Sequence, residues 1–343
     1  MKETSLRGRI ILTILLLIGA NIAAWLWAAM AFRGTPLLMG TALLAYGLGL
    51  RHAVDADHIA AIDNVTRKLM QEGRRPVLVG LFFSLGHSTV VIALSAGLAV
   101  TATLLQDRFA LLKAIGGPIG TAVSALFLFT IAAANLLILT GLWRAFRSLR
   151  NGQAPAEEDL SILLDSRGLM GRLFRRLFRL IGRSWHMYPL GLLFGLGFDT
   201  ATEVGLLGIS AASGSQGLPL WSILVFPALF TAAMSLADTA DGILMLGAYG
   251  WAFVKPVRKL YYNLTITLVS VATALLVGGV EALGLVADQL ALEGRFWQAI
   301  RHVNADLGLL GYAVVGLFAA GWLLSLVIYR LKGFDKPEMP LSF

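Results

Sequence analysis

Uncharged apolar runs recur along this chain, each about as long as a bilayer is thick, and Lys and Arg gather in the gaps between them. A membrane's hydrocarbon core takes about 20 residues of helix per crossing. Inside it every backbone N–H and C=O must find a partner within the protein. Runs near residues 10–32, 36–63, 77–105, 114–143, 188–212, 220–254, 260–287 and 308–329 therefore predict an all-α integral membrane protein, a bundle of eight transmembrane helices. Of the 343 residues 57% are hydrophobic and 14% charged, which leaves no room for a sizeable soluble domain. The first run is too long for a signal-peptide core and lacks a small-residue cleavage site followed by a polar domain, so it is read as a retained helix.

Short loops rich in Lys and Arg stay in the cytoplasm. With the N-terminus inside, 22 of the 28 Lys and Arg residues fall on the cytoplasmic side, five fall outside, and Arg51 lies within a span. Both termini are then cytoplasmic, and Arg67, Lys68, Arg74 and Arg75 form one of the inside loops. This asymmetry also accounts for the net charge of +8. No recognition motif accompanies the charge, so no nucleic-acid partner is expected. The chain divides into residues 1–143 with four spans, a basic cytoplasmic segment 144–187, and residues 188–343 with four more. In the segment, Leu173, Phe174, Leu177, Phe178 and Ile181 alternate with Arg172, Arg175, Arg176, Arg179 and Arg183, the periodicity of an amphipathic helix on membrane lipid.

Eight of the 20 acidic residues lie in or at the edge of apolar spans: Asp55, Asp57, Asp63, Asp199, Glu203, Asp238, Asp241 and Glu281. Each costs about 2.5–3.5 kcal/mol at mid-membrane even on a lenient scale, and must face a cavity or a partner. His52, His58 and His87 lie in spans too, while Arg51 is the lone intramembrane base. With no cysteine, thiolate sites and disulfides are excluded. Carboxylates and imidazoles without sulfur suit a divalent metal or a proton relay.

The densest cluster is Arg51-His52-Ala53-Val54-Asp55-Ala56-Asp57-His58-Ile59. On an ideal helix His52 and Asp55 share a face and His58 stands one step round, while Asp57 points elsewhere unless the helix is locally unwound. Asp57 is thus expected to support the others or to bond between helices. His87, in Leu85-Gly86-His87-Ser88-Thr89, reaches a depth similar to that of His52. Asp199 and Glu203 in span five are spaced i, i+4, and Asp238 and Asp241 in span six i, i+3, so each pair shares a helix face. Like-charged pairs in a low-dielectric bundle hold protons that an arriving cation would expel. Gly191 and Gly195 form a G-x-x-x-G expected to let helices approach closely.

At these four segments the chain resembles the nickel/cobalt transporter family of secondary metal permeases (NiCoT). The strings that carry the resemblance are RHAVDADHI at 51–59, LGHSTVV at 85–91, LGFDTATE at 196–203 and AMSLADTAD at 233–241. The last departs from the family pattern only in Ala233, where the family has glycine. The resemblance implies eight spans with both termini inside and uptake of Ni²⁺ or Co²⁺ across the cytoplasmic membrane. It makes His52, Asp55, Asp57 and His58 the functional core. His87, Asp199, Glu203, Asp238 and Asp241 carry over by motif position.

The expected protein is a cell-membrane transporter with Ni²⁺ or Co²⁺ as substrate and no resident cofactor. Its first site lies near mid-membrane, where His52, Asp55 or His58, and His87 bind the metal. The four acids of spans five and six supply further ligands or an acidic, proton-exchanging path. No G-x-x-x-x-G-K-[ST] loop is present, so no ATPase domain in the chain drives transport. The sequence does not fix the oligomeric state. An intramembrane aspartyl protease is disfavoured because Gly195-Leu196-Gly197-Phe198-Asp199 is one residue longer than G-x-G-D. A metal efflux permease or metal sensor, using similar ligands, is the alternative.

Overall fold

The computed structural model describes residues 3–101, 106–150, 181–196, 201–252, 256–305, 311–314, 316–317 and 320. Every regular element among them is helical: α1 Glu3–Ala31, α2 Pro36–His52, α3 Ala56–Gln71, α4 Val79–Thr101 and α5 Gln106–Arg150. A 3₁₀ turn, Ser184–His186, leads into α6 Met187–Phe194 and α7 Ala201–Ser215. The short α8 Leu220–Ile223 precedes α9 Val225–Ala252, α10 Pro256–Gln289 and α11 Arg295–Ala305. Among the described residues, four helical stretches are long and apolar enough to cross a membrane: Leu6–Ala31, Val79–Val100, Leu220–Ala248 and Thr267–Gln289. The bent pair α2 and α3 makes a fifth. Most of the run at 308–329, and all of the expected amphipathic helix but residues 181–183, lie outside the described residues.

α1 shows how the bundle sits in its solvent. Thr13, Leu17, Asn21, Ala24, Ala28 and Phe32 recur three or four residues apart and are buried, while Leu12, Leu15, Leu16, Ile22, Leu26 and Met30 face outward. An apolar exterior over a partly polar interior suits a lipid surround. Asn21 donates from Nδ2 to Ala232 O of α9 at 3.1 Å and accepts from the Tyr46 hydroxyl of α2 at 3.0 Å.

The second apolar run does not form one helix. α2 begins at Pro36, where a missing N–H costs nothing, and ends at His52, after which the chain bends by 52° into α3. Asp55 is extended at the N-terminal edge of α3, with φ −63° and ψ 143°. The expected ideal-helix angles between His52, Asp55 and His58 therefore do not apply across this break. The helical stretch 311–314 covers it: a Cβ on Gly311 would overlap Val54 O.

α3 also corrects the reading of Arg67 and Lys68 as loop charges: both lie within the helix. Residues 58–69 are buried on every side of the helix, Arg67 included. Apolarity gave no warning, because Asp63, Asn64 and Arg67 find partners on other helices. The fifth run is interrupted too, since α6 stops at Phe194 and Gly195 and Leu196 form a turn. A further helix, α11, stands where a loop was expected, held by Arg301, which donates to Ala287 O and Leu292 O at 2.8 Å each.

α4 is the central strut, packed against α6, α7 and α9. Its closest approaches are backbone to backbone. A Cβ on Gly86 would overlap Tyr188 O, one on Gly191 would overlap Phe83 O, and one on Gly80 would overlap Asp238 O. A Cβ on Gly195 would stand 2.8 Å from His87 O. The G-x-x-x-G expectation is met, and the helix that carries His87 is fixed by it. Because backbone cannot swing aside, Gly86→Val is expected to cost at least the ~1–3 kcal/mol typical of overpacking. In detergent it should lower the apparent melting temperature, read by size-exclusion recovery after heating, whereas Gly97→Val, with open space around it, should not.

Candidate metal centre

The break between α2 and α3 turns two histidines of one short motif toward each other. His52 is the last residue of α2, His58 lies in the first turn of α3, and their ring centroids are 4.6 Å apart. His87 comes in from mid-α4, with centroids 4.7 Å from His52 and 5.0 Å from His58. One nitrogen from each of the three rings lies within 4.8 Å of the others. Glu203 joins them from the first turn of α7, where the helix dipole favours a negative charge. Asp238 arrives from the middle of α9. None of His52, Asp55, His58, His87, Glu203 and Asp238 is more than 2% exposed.

Carboxylates orient the rings. Asp55 occupies the N-cap position of α3 but does not cap it; its Oδ2 accepts instead from His52 Nδ1 at 2.8 Å. Thr202 Oγ1 stands 3.1 Å from the same nitrogen. The carboxylate holds a proton on Nδ1 and leaves the Nε2 lone pair facing inward. His58 is held the same way, with Nδ1 3.2 Å from Asp238 Oδ2, while its Nε2 is buried without a hydrogen-bond partner. Ser84, one turn before His87, donates to Asp238 Oδ2 at 2.5 Å and so fixes that carboxylate.

Three atoms then converge. His87 Nε2 lies 2.9 Å from His52 Nε2 and 2.8 Å from Glu203 Oε1, and those two atoms are 4.0 Å apart. These sides close almost to a right angle at His87. A point midway between His52 Nε2 and Glu203 Oε1 is therefore about 2.0 Å from all three, the length of a bond from a divalent transition metal to imidazole or carboxylate. Two donors opposite one another and a third at right angles is a T, three corners of the square-planar or tetragonal arrangement that N and O ligands give Ni²⁺.

Of the nine residues singled out from the sequence, His52, Asp55, His58, His87, Glu203 and Asp238 stand together. Asp57 lies at the edge: its Oδ1 accepts from the His58 backbone N–H at 2.9 Å, satisfying the start of α3 rather than facing the rings. Asp241 lies one turn past Asp238 on α9, with its Oδ2 unpartnered. Asp199 lies outside the described residues. Two participants were not singled out as such. Ser84 stands three residues before His87, a spacing that puts it on the same helix face. Asp63 was visible as an intramembrane acid, and the structure gives it the hydroxyl of Ser270 at 2.7 Å.

The fold and this buried cluster define a polytopic membrane protein with a closed imidazole and carboxylate centre between broken helices, a construction typical of secondary transporters. A model of the family described as "High-affinity nickel-transport protein" (NicO) matches residues 38–328, and the chain belongs to that family. It is 61% identical to the "High-affinity nickel transport protein" of Cupriavidus necator, over 97% of this chain and 95% of that one. It is 48% identical to the "Nickel transporter NicT" of Mycobacterium tuberculosis, over 91% and 84% of the two chains. A third relative, the "Cobalt transport protein NhlF" of Rhodococcus rhodochrous, is 40% identical over 88% and 87%. No solved structure matches the chain at a significant level.

X-ray absorption of the Ni²⁺-loaded protein checks the geometry. A first shell of N and O at about 2.0–2.1 Å with imidazole outer-shell scattering is expected. His87→Ala should remove one imidazole from it, and Asp55→Asn should keep the imidazole count while weakening Kd about 10–100-fold, as loss of a carboxylate behind a ligating histidine does.

Proposed function

We propose that this protein is a secondary importer that carries Ni²⁺ or Co²⁺ into the cell across the cytoplasmic membrane, through eight spans with both termini cytoplasmic. The observation that carries the reading is the convergence of His52 Nε2, His87 Nε2 and Glu203 Oε1 on one point at metal-ligand distance. His58, with its free Nε2, is the next ligand on the path. Asp55 and Asp238 hold His52 and His58 in register, and Asp57 anchors the start of α3 beneath them. Asp241, one turn further along α9, receives the ion after His58. Asp199 contributes to the same acidic path by its position in the LGFDTATE string.

Neutral imidazole with carboxylate binds late first-row metals well, and cargo choice follows from geometry rather than raw affinity. The centre is enclosed, so an ion must shed its water to occupy it. Mg²⁺, which gives up water reluctantly, is excluded on that ground. A groove of about 830 Å³ between α1, α4 and α9 is lined mainly by apolar side chains such as Leu16, Leu81 and Leu85 and contains none of the centre's residues, so it is a lipid-facing feature rather than the ion path. Membrane potential supplies about 4.6 kcal/mol per 100 mV for a divalent ion.

Cells expressing the protein should accumulate ⁶³Ni²⁺, with excess Co²⁺ competing and Mg²⁺ not. His52→Ala and His87→Ala should each lower the initial rate at least about a hundredfold at unchanged membrane expression. Depletion of metal from loaded cells would reverse the direction of the reading and make the protein an exporter.

A further inference from the structure

Beyond the histidine centre, α3 carries a second polar cluster that the path just described leaves unexplained. Asp63 is fully buried, and its Oδ2 accepts from Ser270 of α10 at 2.7 Å. One helical turn on, Arg67 is 1% exposed. Its Nη1 donates to Thr267 of α10 at 2.8 Å and its Nη2 to Asn64 Oδ1 at 3.2 Å, while Nε has no partner. Asn64 Oδ1 also accepts from Asn135 of α5 at 2.6 Å, so that oxygen is shared. A buried guanidinium is thus bonded to neutral oxygens, and its Nε donor is left over.

The charges nearby are negative. Asp63 and Arg67 are four apart on α3, on one face, and meet α10 at Ser270 and Thr267, themselves three apart. Asp241 of α9 lies one turn past Asp238, and its Oδ2 is unpartnered. Along α3 the order is His58, Asp63, Arg67; along α9 it is Asp238, Asp241. An ion leaving His58 and Asp238 toward the C-terminal end of α3 meets Asp63 and Asp241 next, and Arg67 behind them.

We propose that Arg67 is a tethered substitute for the cargo. Its positive charge balances the Asp63 carboxylate when no metal is there, and a descending metal ion displaces it. A buried carboxylate stripped of its cation is costly. With Arg67 returning, the ion can leave and the empty carrier can reset. Without Arg67, Asp63 keeps the ion unless another ion replaces it, so net transport needs Arg67 and metal-for-metal exchange does not. This inference rests on the transport reading above.

The test uses the full-length protein in vesicles and two readouts: net ⁶³Ni²⁺ uptake into metal-free vesicles, and ⁶³Ni²⁺ exchange into vesicles preloaded with unlabelled Ni²⁺. In Arg67→Gln, net uptake should fall at least tenfold while exchange stays within about threefold of wild type. Arg67→Lys, which keeps the charge, should retain more net uptake than Arg67→Gln. Parallel loss of both readouts in a folded Arg67→Gln protein, or no loss of either, would overturn the inference. If Arg67→Gln does not fold, the charge-neutral Asp63→Asn/Arg67→Gln double variant should; recovery of folded protein supports the pairing, and failure makes Arg67 a scaffold residue and sinks it. Wild-type vesicles that neither accumulate nor exchange metal would instead overturn the transport reading itself.

Discussion

A carboxylate taken out of water must be given a proton, a cation or enough hydrogen bonds to stand in for hydration. In this bundle four of the buried acids meet that demand through a different helix: Asp55 through His52, Asp238 through His58 and Ser84, Glu203 through His87, and Asp63 through Ser270. Because the partners come from other segments, the acids fix the relative positions of α2, α3, α4, α7, α9 and α10 as firmly as apolar packing does. Specificity of the fold and composition of the centre are then the same set of interactions. Removal of one imidazole leaves its carboxylate stranded, with a penalty of several kcal/mol.

The break at Ala53–Asp55 lets one nine-residue string supply so many of those interactions. A straight helix would set His52, Asp55 and His58 side by side on one stripe, all pointing outward from the same axis. Ending α2 at His52 and starting α3 at Ala56 folds the string on itself, so that Asp55 reaches back to the imidazole three residues before it. The cost is an unbonded helix end in the membrane interior. Asp57 meets part of it by accepting the His58 N–H, and Gly311 brings the backbone of the last helical stretch close over Val54.

Much of this was legible in the residues themselves. The expense of intramembrane charge picked out His52, Asp55, His58, His87, Glu203 and Asp238 without knowledge of any contact, and the small-residue spacing at Gly191 and Gly195 foretold the close packing beside His87. Other features depend on tertiary geometry and leave little local trace. A run of apolar residues does not reveal where its helix stops, since Val54 and Ala53 suit a helix as well as a break. Arg67 reads as a loop charge because its partners, Thr267 and Asn64, are remote in the chain or polar but neutral. Ser84 looked like an ordinary small residue, and only Asp238, 154 positions away, gives it a role.

The glycine contacts of α4 have a mechanical meaning. Where Gly80, Gly86, Gly191 and Gly195 bring main chains together without intervening side chains, there are no rotamers to repack and no soft layer in which one helix can slide past its neighbour. α4, α6 and the middle of α9 form a stiff frame, and His87 is mounted on it. The same kind of contact, Gly311 against Val54 O, braces the joint between α2 and α3, and Gly49 against Phe230 O braces α2 on α9. All three imidazoles thus sit on stiff mounts, and a closed centre of this build would have to open by parting whole groups of helices rather than by bending at the joint.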